Sequence, residues 1–318
     1  MPPRALVVPA CSLLACLGLA APPAGAVPTL PPENGHTFQA PGATIYVEVL
    51  GKATGAPLVV VNGGPGFDHT YEHVAMPGMS SAWDLLARQR KVVFYDQRGN
   101  GKSGALKPGQ SCTLADQIAD LEALRAHLGV EKIDLLGHSW GGFLVMAYAA
   151  RHPEHIRHLI TVDSAAPRWA DTVTLFKDIF PEGQARADSF AFADAMGDAE
   201  ASTAGLREYF QWLFYAPDKR DVFSQAVGPG VFTKAVNEAV EHDVQRFDLT
   251  PELAKFRFPT MVITGRYDIN VAPSVAYKMH KAIPNSRFVV FEKSGHLPFF
   301  EEPEAFTRQL EGFLGSPK

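Results

Sequence analysis

Cysteine is nearly absent: the 318-residue chain holds three, and two of them, Cys11 and Cys16, fall within the first 26 residues. Beyond that point only Cys112 remains, so no disulfide can form within the rest of the chain and its stability must come from a hydrophobic core. Cys112 opens the segment "CTLADQIADLEALRAHLG" with no glycine corner around it, which marks a structural thiol rather than a nucleophile. A long basic run is missing too. Lysine plus arginine total 29 against 34 aspartate plus glutamate, for a net charge of -5, which argues against a nucleic-acid partner. Nor is any apolar run suited to stable membrane insertion: the stretch from Ala5 to Ala21 is interrupted by Pro9 and followed by Pro22 and Pro23.

What is present is a hydrophobic content of 46 %, enough for one large domain or a domain with a smaller insert. The first 26 residues stand apart. They carry one early cation, Arg4, then the apolar stretch, then Ala24-Gly25-Ala26, a small-x-small pattern. We read residues 1–26 as an export signal cleaved after Ala26, giving a periplasmic or secreted protein. Lipoprotein attachment at Cys16 in "LLAC" is the lesser alternative.

Residues 27–165 alternate strand and helix patterns. "TIYVEVLG" has period two, "PLVVVNGG" and "KVVFYDQRG" are β-branched runs ending in turn residues, and "QIADLEALRAHLG" is an amphipathic helix closed by Gly129. "KIDLLGHS" and "IRHLITVDS" continue the series. Residues 166–248 are poor in strand signals and rich in aromatics, which predicts a helical insert. In residues 249–318, "FPTMVITGRYD" and "SRFVVFEKSGH" resume the strand rhythm and "PEAFTRQLEGFLG" supplies a closing helix. The expected fold is α/β: a mostly parallel sheet flanked by helices, with a helical cap inserted in it.

The sharpest local signal is "IDLLGHSWGGFLVMAYAA". A buried strand turns at Gly137-His138-Ser139-Trp140-Gly141 into a packed helix, the G-x-S-x-G corner that lifts a serine hydroxyl above a sheet. A serine hydroxyl needs a base, and the base needs an orienting carboxylate. Asp268 ends "VITGRYD" and His296 lies in "VVFEKSGHLPFFEEP", each just beyond a strand, where open α/β sheets build their sites. The predicted triad is therefore Ser139, Asp268 and His296. For the oxyanion, Gly63, Gly64 and Gly66 of "VVVNGGPGF" leave the backbone uncovered; Gly64 N–H and the N–H of Trp140 are the expected donors.

"NGGPG", "YDQRGNGKSG", "GHSWGG", "GRYD" and "SGHLPFFEEPE" resemble the α/β-hydrolase fold, and specifically the proline iminopeptidase family of serine peptidases. The resemblance spans Thr37 to Leu314 and is weaker through the insert. It implies release of an N-terminal residue, often proline, from small peptides, with Ser139, Asp268 and His296 as the triad and Gly64 and Trp140 as oxyanion donors. The family usually carries histidine where this chain has Asn62. Relatives neutralise the substrate ammonium with cap carboxylates; the candidates here are Glu208, Glu238 and Glu241, with Glu238 preferred.

Three functions are compatible with these residues: an aminopeptidase, a carboxylesterase or lactonase using the same triad, and a non-catalytic ligand-binding protein of the same fold. Each implies a small peptide, amide or ester as ligand, and the sequence sets no oligomeric state. No metal or organic cofactor is called for. His152, His155 and His158 in "RHPEHIRHL" are split by Pro153 and are expected as surface residues rather than a shared ligand set. Asp96 and Arg98 of "DQRGNGKS" are expected to tie down a loop beside the site.

Overall fold

The computed structural model describes residues 35–196, 201–226 and 232–315; the expected export signal, with Cys16, lies outside them. Eight strands form one sheet: β1 (His36–Ala40), β2 (Ala43–Leu50), β3 (Leu58–Val61), β4 (Val92–Asp96), β5 (Ile133–His138), β6 (Ile156–Val162), β7 (Thr260–Gly265) and β8 (Arg287–Phe291), in the order β1-β2-β4-β3-β5-β6-β7-β8. β1 pairs antiparallel with β2 and β2 antiparallel with β4, while β3 to β8 are parallel. The β-branched runs become the central strands because both of their faces are covered. All four residues of β3 are 0 % exposed. Val59 and Val61 pack on one side and Leu58 and Val60 on the other, the period-two alternation of a strand. Each such side chain contributes roughly 1.5–3 kcal/mol by leaving water.

Helices cover both faces. α1 (Ala82–Ala87), α2 (Leu114–His127) and α3 (Trp140–Arg151) precede the insert. α2 starts at Leu114, a turn ahead of the expected Gln117, because Thr113 and Asp116 form a reciprocal capping box, an arrangement that satisfies two otherwise orphaned amides. Between β6 and β7 the chain runs through α4 (Phe176–Ile179), α5 (Pro181–Ala195), α6 (Ala201–Gln211), α7 (Pro217–Ala226), α8 (Lys234–Val244) and α9 (Thr250–Leu253). α10 (Pro273–Ala282), α11 (Pro298–Glu301) and α12 (Pro303–Leu314) complete the core. No described helix is long and apolar enough to cross a membrane.

The strand order matters for function. β3 lies between β4 and β5, so the chain leaves β3 toward one face and β5 toward the other, and the loops after these two neighbours open a crevice at the carboxyl edge. Val61 pairs with Gly137, which brings the glycine loop after β3 against the corner after β5.

At the same edge, Arg98 forms a buried two-pronged pair with Asp120 at 2.7 Å on each side, and Asp96 accepts from the His69 ring and the Lys102 amide. Both residues thus tie down the loop after β4. Cys112 is buried, and that burial pushes its thiol up to about 11, far from a reactive thiolate.

Candidate active site

Ser139 caps the start of α3 with φ 55° and ψ -120°, a left-handed conformation that costs a non-glycine residue on the order of 1–3 kcal/mol. The surroundings hold it there. Its N–H donates to Val162 O at 2.9 Å, and its carbonyl accepts from Gly142 N–H at 3.0 Å and Ala165 N–H at 3.1 Å. Glycine is obligatory on both sides of the corner: a Cβ on Gly137 would lie 2.2 Å from Gly141 O, and one on Gly141 would lie 2.1 Å from Val61 O. The Ser139 side chain makes no capping bond, which leaves Oγ at the wall of a cavity of about 420 Å³.

The same cavity is lined by His296, Gly64 and Trp140. Oδ2 of Asp268 lies 2.7 Å from Nδ1 of His296, and both side chains are buried. Oδ1 of Asp268 accepts from Asn270 N–H at 2.8 Å and Val271 N–H at 2.9 Å, so this carboxylate is supplied with three donors. Because Nδ1 donates to the carboxylate, Nε2 of a neutral His296 carries the lone pair a general base needs. That Nε2 lies 3.1 Å from Nδ2 of Asn270.

The glycine loop is braced from several directions. Gly64 has φ 129°, a value glycine adopts without strain. Asn62, standing where the family usually has histidine, donates through Nδ2 to Phe67 O at 2.8 Å and accepts at its own carbonyl from Gln97 Nε2 at 3.0 Å. Gln97 in turn accepts from the Trp140 indole at 2.8 Å. From above, α8 donates Asn237 Nδ2 to Pro65 O at 3.0 Å, while Thr233 N–H reaches Gly66 O at 2.7 Å. Trp140 N–H sits in the first turn of α3, where no intrahelical acceptor exists, and Gly64 flanks the same cavity.

Sequence reasoning missed a buried strap beneath this loop. His138 Nε2 lies 2.9 Å from the carbonyl of His296, so that nitrogen carries the proton. Burial, reinforced by the neighbouring His296, holds His138 well below the ordinary histidine range, so it is neutral and Nδ1 accepts. The partner at Nδ1 is Tyr71 Oη at 2.8 Å, and Tyr71 Oη itself accepts Gly63 N–H at 2.6 Å. One chain of bonds therefore joins the glycine loop, the serine corner and the histidine loop. Glu72 lies beside it, fully buried, and burial pushes its carboxyl up to about 8, which makes it a neutral acid at pH 7.

The cap carboxylates separate. Glu208 is occupied, accepting from Arg186 Nε at 2.9 Å and Trp212 Nε1 at 3.0 Å, and it does not line the Ser139 cavity. Glu238 lines an adjoining cavity of about 450 Å³. Glu241, one helical turn further along α8, lines both cavities; burial raises its carboxyl above the usual range, and Asn237 Nδ2 at 3.4 Å opposes that. Of the three candidates, only Glu241 lines the Ser139 cavity.

Among the described residues, three groups gather enough donors to invite a metal. In the first, Glu48, His69 and His73, both ring nitrogens of His69 are already engaged, Nδ1 by Asp96 at 2.6 Å and Nε2 by Glu48 at 3.1 Å. In the second, Glu122 is covered by Arg125, Tyr148 and His155. Contrary to expectation, Pro153 does not keep His152 and His155 apart: a short 3₁₀ turn stacks their rings at 5.7 Å, while His158 turns away to Asp134 at 2.7 Å. The third group, Asp163, Asp268 and His296, contains the predicted acid and base.

Comparison with known proteins follows the same lines. Residues 56–303 match the alpha/beta hydrolase fold family. A proline iminopeptidase from Clostridium botulinum is 30 % identical over 285 residues, covering 85 % of this chain and 94 % of the relative. One from Saccharolobus solfataricus is 28 % identical, covering 86 % and 89 %. Among solved structures, an esterase from Rhodococcus sp. ECU1013 superposes with TM-score 0.72 at 22 % identity, covering 90 % of this chain and all of that one, and a Bacillus anthracis α/β-fold hydrolase with TM-score 0.71 at 20 % identity, covering 88 % and 99 %. These two establish the shared fold.

Proposed function

Because the chain belongs to the alpha/beta hydrolase fold family and, within it, to the proline iminopeptidases, we propose that it releases N-terminal residues, with a proline-type preference, from small peptides or amides through a serine acyl-enzyme. The observation that carries this reading is the pairing of a strained, uncapped Ser139 with an Asp268–His296 couple at 2.7 Å, serine and histidine opening on one cavity.

In the proposed reaction Nε2 of His296 takes the Ser139 proton as Oγ attacks the scissile carbonyl, and Asp268 stabilises the resulting imidazolium. Gly64 and Trp140 amides hold the oxyanion, a contribution worth about 3–4 kcal/mol per donor in comparable sites. His296 then protonates the leaving amine, and water attacks the acyl-enzyme by the same steps. Glu241, at the junction of the two cavities, offers the substrate ammonium a partly desolvated counter-charge.

A carboxylesterase or lactonase activity is the second reading, favoured by the apolar wall that Phe67, Phe210 and Leu213 give the cavity and by the tetrahedral intermediate common to esters and amides. A paired assay separates the two: proline arylamide with a free and an acetylated N-terminus against a short-chain aryl ester. Faster turnover of the free-amine arylamide supports the aminopeptidase; a strong preference for the ester overturns it. Ser139→Ala should lower either activity by roughly 10⁴-fold or more. Failure of the wild type to label with a fluorophosphonate would instead favour a binding protein without turnover. We also place the mature protein outside the cytoplasm, on the strength of the apolar stretch and Ala24-Gly25-Ala26. Mass spectrometry of the secreted chain should find Val27 at its start; a lipid-modified Cys16 would replace that assignment.

A further inference from the structure

One carboxyl group beside the triad has no part in the chemistry above. Asp163 follows β6 directly and is 1 % exposed, with φ 45°. Its N–H donates to Ile263 O at 3.0 Å and its Oδ1 accepts Gly265 N–H at 2.8 Å, so the residue is stapled across the ends of β6 and β7. An oxygen of Asp163, an oxygen of Asp268 and a ring nitrogen of His296 all lie within 4.8 Å of one another.

Two buried carboxyl groups this close cannot both be ionised. Counting donors decides which one keeps the proton. Asp268 receives three, from His296 Nδ1 and the amides of Asn270 and Val271. Asp163 receives fewer, the Gly265 amide and, more weakly, the Thr264 hydroxyl, and its Oδ2 is buried with no donor among the described residues. An anionic oxygen left bare in that position would cost several kcal/mol, whereas a protonated Asp163 carboxyl can hydrogen-bond to the Asp268 carboxylate beside it. Burial, with the charge of Asp268 adding to it, accordingly drives Asp163 well above the usual carboxylate range.

We propose that Asp163 is a positioning residue: a neutral carboxylic acid whose hydroxyl is directed at the Asp268 carboxylate, and a reserve partner able to lose that proton and counter the His296 cation when Asp268 is neutralised. The inference rests on the serine-hydrolase reading for its catalytic meaning, though not for the protonation state. Asn is the informative substitution, because its Nδ2–H replaces the hydroxyl as donor and because asparagine tolerates a left-handed backbone better than most residues. Alanine removes the donor and the acceptor of Gly265 together.

The test compares wild type, Asp163→Asn, Asp163→Ala, Asp268→Asn and the double Asn variant by ester turnover and fluorophosphonate labelling, with thermal melts to confirm folding. Asp163→Asn should stay within about threefold of wild type, and Asp268→Asn should exceed the double variant by about tenfold or more, since only the single variant keeps an ionisable acid beside His296. A collapse of Asp163→Asn in a folded protein would mean that the residue must be charged and would overturn the proposal, as would equal rates for Asp268→Asn and the double variant. An independent readout is the infrared difference spectrum of wild type minus Asp163→Asn at pH 7: it should contain a protonated-carboxyl carbonyl band, the contribution of Glu72 being common to both proteins and cancelling. Absence of that band overturns the proposal whatever the activity, whereas a wild type that shows the band but does not label at Ser139 loses only the hydrolase reading.

Discussion

Asn270 holds the nitrogen of His296 that the proposed reaction uses: Nδ2 of the amide lies 3.1 Å from Nε2 of the ring, and because Nδ1 is committed to Asp268, the amide is the donor. Before Ser139 can be deprotonated this bond must yield. A hydrogen bond of that kind is worth about 1 kcal/mol net, or roughly fivefold in a rate. Asn270→Ala should therefore raise the second-order rate of fluorophosphonate labelling by several fold, measured under conditions where labelling is not saturated. A slower rate would show that Asn270 steers the ring rather than restrains it.

Tyr71 is the hinge of the strap under the glycine loop. Tyr71→Phe removes the acceptor of Gly63 N–H and the donor to His138 Nδ1, leaving two buried polar groups unpaired at roughly 1–3 kcal/mol each. In the proposed mechanism the strap positions groups that act on the transition state, so kcat should fall about 10- to 100-fold with KM little changed. A change confined to KM would contradict the assignment.

The three cap carboxylates should respond differently. Glu241→Gln should raise KM about tenfold for substrates with a free amine and leave N-acetylated ones unaffected. Glu238→Gln should have a smaller effect, since Glu238 reaches only the adjoining cavity. Glu208→Gln should lower the melting temperature more than it alters specificity, because it weakens the bonds to Arg186 and Trp212.

Stability should decline at alkaline pH. Burial alone would lower His69, but hydrogen bonds to Asp96 and Glu48 outweigh it and raise the ring from 6.5 to about 9. A folded value above the unfolded one means that the contribution, about 3 kcal/mol, is complete below about pH 6.5 and is lost as the pH climbs through about 9. Glu72, raised from 4.5 to about 8, adds a loss in the same direction between those two values. Denaturant titrations at pH 6.5 and 9.5 should show the drop in wild type and a smaller one in His69→Gln; an unchanged difference would remove His69 as its source.

Much of this was written in the chain order. β-branched runs closed by turn residues marked β3 to β8, since a strand buried on both faces has little choice of composition. Ser139, Asp268 and His296 stood at strand ends, where the sheet's own geometry gathers side chains. What the sequence hid was made by convergence. Nothing near Tyr71, His138 or Asp163 announces a shared hydrogen-bond network, because their partners lie 8 to 158 positions away along the chain. Which of Glu238 and Glu241 lines the Ser139 cavity was hidden for another reason: one turn apart on α8, they differ in how the helix is rolled, and α8 is bonded to the glycine loop through Thr233 and Asn237, partners distant in the chain.

The histidine loop has one more attachment. His296 N–H donates to Leu213 O at 2.8 Å, and the buried carboxylate of Glu301 accepts Tyr215 N–H, Ala216 N–H and Gly295 N–H at 2.8, 3.0 and 2.6 Å. The insert is therefore fastened to His296 itself. A foreign lid grafted between β6 and β7 to change selectivity would have to keep residues 213–216 as a mounting bracket, or the graft would unseat the imidazole along with the old specificity.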